Sequence, residues 1–124
     1  MGWVIFFIVI LAIFGVFQDT TTATPPNAYT DERAKYRTRD GNYDIEFLFK
    51  NCGAQGWRAY ILGSPGYGQR STDAHSTHRI YDSTLNLHYI CWDRKVTCKS
   101  ECKKVAALWS DKTIEYIRSG RRFG

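Results

Sequence analysis

The first thirty-two residues of this 124-residue chain contain no lysine or arginine, and the first basic side chain is Arg33. A cleaved secretion signal normally opens on a basic stretch, so this absence weighs against one. The four cysteines include no Cys-x-x-Cys pair, which argues against a zinc knuckle, and no metal is expected. There is no serine-nucleophile elbow, no phosphate-binding loop and no dinucleotide fingerprint, so no cofactor is expected. Internal repeats are absent as well. With three histidines in all, acid–base chemistry has few places to be.

What is present begins with Met1 to Phe17, an apolar run without one charged side chain. As a helix it would measure roughly 25 Å, the short end of a bilayer span. A retained single-pass anchor is the favoured reading, with a cleaved signal or a helix docked in a larger assembly as alternatives. Trp3 and Phe17 suit headgroup depth at either end. Arg33, Lys35 and Arg37 pull the following chain weakly toward the cytoplasm, whereas four cysteines in a small domain favour an oxidising compartment. The expectation is a membrane protein, contacting the bilayer through residues 2–17, with its domain outside the cytoplasm.

Residues 18–30 are threonine-rich and carry Pro25-Pro26, which reads as an extended tether. Residues 31–124 then form one small domain. Ile45, Leu48, Phe49 and Cys52 recur at helical spacing, with Asn42 as a cap and Gly53 as a stop, predicting a helix over 44–52. Trp57–Leu62 is short, aromatic and branched and predicts a strand. The glycine-rich stretch 63–76 is long for a connection, and long loops are commonly mobile or functional. Residues 77–81 and 87–92 read as a hairpin. Positions Cys98, Cys102, Val105, Ala106, Trp109, Thr113, Tyr116 and Ile117 make one helical face that Gly120 would end. The predicted fold is therefore α+β: a transmembrane helix, then an α-β-β-β-α domain whose three-stranded antiparallel sheet carries two helices on one face.

Residues 31–93 balance eight basic against eight acidic side chains, while 94–124 hold nine basic and three acidic. This basic end, with Lys99, Lys103 and Lys104, could bind nucleic acid or anionic lipid, or could be a solvated helix with i,i+3 pairs. The element order and the run Lys103-Lys104-Val105-Ala106-Ala107-Leu108 superficially resemble a double-stranded RNA-binding domain over residues 43–118. The long loop at 63–76, the cysteines and the apolar segment are foreign to that family, so membership is not claimed.

The preferred disulfide arrangement is Cys52–Cys102 with Cys91–Cys98, with the cross-pairing and four reduced, buried thiols as alternatives. Asp73, His75, His78 and His88 are weak candidates for a hydrolase or nuclease centre, since no spacing forces them onto one substrate atom. The aromatic load is more informative. Trp57, Tyr67, Tyr81, Tyr89 and Trp92, with Arg70, are candidate contact residues, because large rings on a rigid sheet recognise partners efficiently. The leading expectation is a membrane-tethered interaction module, more a binder than an enzyme. It would present its sheet and the 63–76 loop to a protein partner, or to further copies of itself, in a membrane or envelope assembly.

Overall fold

A computed structural model describes residues 16–19 and 29–123. Six antiparallel strands, β1 (Val16–Asp19), β2 (Glu32–Arg37), β3 (Asp44–Asn51), β4 (Trp57–Gly63), β5 (Arg79–Asp82) and β6 (Leu87–Ile90), form one sheet in the order β1-β2-β3-β4-β6-β5. Among the described residues two α-helices accompany them: α1 (Ala74–Thr77), a single turn, and α2 (Lys99–Ser119). The side chains of five strands, β2 to β6, are described. β1 joins by backbone pairing alone, from Val16 opposite Arg37 to Asp19 opposite Ala34.

The α+β class stands, and the expected α-β-β-β-α arrangement does not. Residues 44–52 are not a helix. Ile45, Phe47 and Phe49 are all fully buried and alternate with half-buried Glu46, Leu48 and Lys50, the period of a strand. The helical stripe arose because Leu48, an apolar residue on the outer face, completes an i,i+3,i+4 pattern by coincidence. β2 supplies the strand on one side of β3 and β4 that on the other.

The apolar helix expected over residues 1–17 is also corrected where the structure reaches it. Val16 and Phe17 are strand, and residues 1–15 lie outside the described residues. Among the described residues no helix is long and apolar enough to cross a membrane. Gln18 and Asp19, expected to begin the tether, complete β1, and residues 20–28 also lie outside the description.

The strand over Trp57–Leu62, the hairpin and the last helix occur close to where their periodicities place them. α2 packs Val105, Ala106, Leu108 and Trp109 against the sheet, with the Trp109 ring edge-on to Phe47 at 6.1 Å. Full burial of each such large side chain is worth about 1.5–3 kcal/mol. Gly120 ends the helix in the left-handed conformation, its N–H donating to Tyr116 at 2.8 Å. Gly56 closes the β3–β4 turn at φ 81°, where a Cβ would stand 2.4 Å from the Val96 carbonyl oxygen.

The disulfides do not form: Cys52, Cys91, Cys98 and Cys102 are all free thiols. Cys102 is buried within the core on α2, where it packs as a small apolar group, and Cys98 is exposed at the helix start. A core drawn from four described strands and a 21-residue helix gives the domain the apolar burial that bridges were expected to supplement.

Candidate functional site

The long helix α2 lies against one face of the sheet, and the other carries Arg33, Lys35, Arg37, Leu48, Lys50, Arg58, Tyr60 and Tyr89. Strand alternation places them there, because Ala34, Tyr36, Phe47, Phe49, Trp57 and Ala59 take the core side. Along β2 and β3 this open face is charged and internally paired, as in Arg33–Glu46 at 3.2 Å and Arg37–Asp44 at 2.8 Å. Toward β4, β6 and β5 it becomes aromatic and concave. A groove of about 510 Å³ opens there between Lys50, Arg58, Tyr89 and the β5–β6 turn with Leu85.

The floor of the groove is a polar cluster. Tyr60 donates its phenolic hydrogen to Asp82 Oδ2 at 2.6 Å and accepts from Arg58 Nη1 at 3.4 Å. The Arg58 guanidinium lies 4.2 Å from the centre of the Tyr89 ring, which stands 5.5 Å from that of Tyr60. Burial first, and then the bond to Asp82, push the Tyr60 phenol up to about 12. The same bond holds the Asp82 carboxyl below its ordinary value. Although it alternates away from the face that α2 covers, Tyr60 is 1% exposed. Its donor and acceptor capacities are satisfied by neighbours, so the cluster is a rigid floor with no activated nucleophile.

The remaining candidate residues divide sharply. Tyr81 is 52% exposed at the groove's rim, and Tyr89 is half-buried within the groove. Trp57 is buried in the core, and half-buried Trp92 packs against it. The 63–76 segment is a strap sewn onto α2. Tyr67 is buried against Tyr116, and Arg70 donates to the carbonyls of Ile117 and Arg118, both at 3.2 Å, capping the helix end. Tyr116 in turn donates to the Ser71 carbonyl at 2.9 Å, and Trp109 to that of Thr77, also at 2.9 Å.

Asp73 and the histidines are each engaged separately. The Asp73 carboxylate caps α1, accepting from Ser76 N–H and the Ser71 hydroxyl, which draws its pKa down to about 2. His75 is exposed, its ring 6.3 Å from that of His78. His78 follows α1 at φ 52° and stacks on Phe123 at 4.6 Å, while His88 packs on Tyr81 at 5.3 Å. Among the described residues, no group of three or more His, Cys, Asp or Glu side chains is placed to hold a metal ion.

The basic end is largely neutralised within the fold. Glu32 bridges Lys99 at 3.3 Å and Lys103 at 2.8 Å, Glu115 takes Lys112 and Arg121, Glu101 takes Arg94, and Asp40 takes Arg118. Lys104 stays exposed.

No family model, curated protein or solved structure matches this chain. Function is therefore argued from the groove. Lys50, Arg58, Tyr60 and Asp82 were missed as site residues in the sequence. The available signal was the alternation of Arg58 and Tyr60 with Trp57, Ala59 and Ile61, which already separates an outer face from a core face.

Proposed function

We propose that the domain is a protein-binding module whose groove on the open sheet face receives an extended segment bearing an acidic side chain beside an apolar one. The observation that carries this reading is the rigid Arg58–Tyr60–Asp82 floor, with cationic and apolar walls, on a sheet face that none of the described helices covers. An acidic group on the partner meets Lys50 and Arg58, and an apolar side chain meets Tyr89 and Leu85. Lys50 and Arg58 are held by long ion pairs, 3.4 Å to Asp31 and 3.7 Å to Asp82. The Lys50–Asp31 pair is exposed and worth about 0–1 kcal/mol, so exchanging it for a partner's carboxylate costs little, whereas Arg58 keeps its place in the floor. The reading rests on the sheet face and not on the 63–76 strap, whose key side chains turn toward α2. A place in a membrane or envelope assembly belongs to the same proposal.

Panning a displayed random-peptide library on the full chain tests it. Enriched peptides should combine acidic and apolar positions and should lose binding to a Lys50→Glu, Leu85→Ser variant while retaining it with Lys104→Glu. Peptides that bind the groove variant equally well would overturn the reading. Salt-sensitive capture of oligonucleotides or anionic vesicles that Lys104→Glu abolishes would replace it with recognition by α2.

A further inference from the structure

Among the described residues, β5 is the last strand on its side of the sheet and pairs with β6 alone, Arg79 opposite Ile90 through Asp82 opposite Leu87. The Cys91 N–H donates to the His78 carbonyl at 2.8 Å, which fixes the phase of this ladder. Antiparallel partners alternate between hydrogen-bonded and non-bonded pairs, so Ile80 and Asp82 turn their backbone groups toward β6. Arg79 and Tyr81 turn theirs outward. Among the described residues, no side chain or loop bonds to those outward N–H and C=O groups.

Exposed edges are usually blunted by proline, by outward charge or by a bulge. β5 contains no proline or lysine and has no irregularity in its register. Its two charged residues are occupied inward, Arg79 over the Tyr67 ring at 4.8 Å and Asp82 on Tyr60. What it offers outward is Ile80 and Tyr81, 39% and 52% exposed.

We infer that β5 pairs antiparallel with β5 of a second copy of this chain, about a two-fold axis passing between the two Ile80 residues. Two requirements select that register. A two-fold perpendicular to the sheet keeps the helix-covered side on one side, so residues directly opposite must share a face. The outward backbone groups must also meet one another. Setting Arg79 opposite the partner's Tyr81, and Tyr81 opposite the partner's Arg79, meets both requirements and uses every free group on both edges. Sliding by two residues would place an outward group opposite either α1 or the β5–β6 turn. The selected register brings Ile80 onto the partner's Ile80 as a non-bonded pair, where side chains approach most closely. Arg79 and Asp82 keep their inward partners in this register, so the contact rests on the outward backbone groups and the Ile80 pair. The two grooves then lie on the same side of one continuous sheet, with Tyr81 in the two-fold contact and Tyr89 and Leu85 left to line each groove. The contact is small, so association depends on concentration.

Site-directed cross-linking of the purified full chain tests this pairing independently of any groove ligand. Ile80→Cys places two thiols on a pair whose Cα atoms are about 4.5 Å apart, within disulfide range. Mild oxidation should give a species of twice 14.3 kDa, with an 80–80 linked peptide in its digest. Leu85→Cys, exposed on the adjoining turn, should give none beyond the background of the unvaried chain. Tyr81→Pro removes an outward N–H without touching the β6 ladder, and should shift the dimer's midpoint concentration upward at least tenfold in sedimentation equilibrium. Cross-linking at 85 as efficient as at 80, or a dimer that Tyr81→Pro leaves unchanged, would overturn the inference, as would a chain that stays monomeric and forms no 80–80 link.

Discussion

Tyr60 on β4 reaches past the intervening strand β6 to bond Asp82 on β5 at 2.6 Å. β4 and β6 pair through Tyr60 and Tyr89, so this side-chain bond ties the outer hairpin to the body of the sheet. Tyr60→Phe removes it with almost no change of shape. The expected cost is about 1 kcal/mol, read from urea unfolding, with faster amide exchange in β5 and β6 than in β3. In the intact protein one tyrosine should ionise near about 12 by ultraviolet titration. Asp82→Asn should lower that value only partway, because burial is the larger cause.

Arg70 is expected to hold the strap and the end of α2 together. Arg70→Ala removes both bonds to the Ile117 and Arg118 carbonyls, at a cost of about 1–2 kcal/mol. Exchange should quicken in the last turn of α2 and across residues 67–71. Arg70→Lys should restore less than half of the loss, since an ammonium cannot reproduce the guanidinium fork.

Acid should act through His78. Burial first, and then His75, depress its pKa to about 4 in the folded chain, against about 6.5 when unfolded. Between those values the unfolded chain takes up the proton and the folded one does not, so stability falls as pH drops from about 6.5 to about 4. His78→Asn keeps a residue that tolerates φ 52° and should flatten that segment of a plot of urea midpoint against pH.

The four thiols should react in a fixed order. Cys98 is exposed, and a hydrogen bond from the Ser100 hydroxyl, helped by the Glu101 N–H, lowers its pKa. Burial raises that of Cys102 strongly and that of Cys91 less. A chromogenic thiol reagent should therefore modify Cys98 first and Cys102 only on unfolding. All four should titrate in denaturant without prior reduction; a shortfall would mean that a disulfide is present after all.

The periods that were legible belong to segments whose neighbours do not decide them. Trp57–Leu62 is a short aromatic and branched run bounded by Gly56 and Gly63, which suits a strand, and the 98–117 face repeats for five turns before Gly120 stops it. Residues 44–52 were not legible, because Leu48 makes a helix and a strand equally consistent with the local pattern. β2 was missed for a related reason: its core face is Ala34 and Tyr36, a small and a polar-tipped residue, between Arg33, Lys35 and Arg37.

The sequence by itself determined the α+β class, the face of α2 that enters the core, and the separation of Arg58 and Tyr60 from the core residues beside them. Only the tertiary structure decided that the glycine-rich segment is a strap, that the basic end is paired with Glu32, Asp40, Glu101 and Glu115, and that Lys50, Arg58, Tyr60, Asp82 and Tyr89 share one groove. The physical reason is the strand order β4-β6-β5. Periodicity reports which way each residue points along its own strand, whereas the partner beside it is chosen by pairing between distant segments and by the burial that pairing permits.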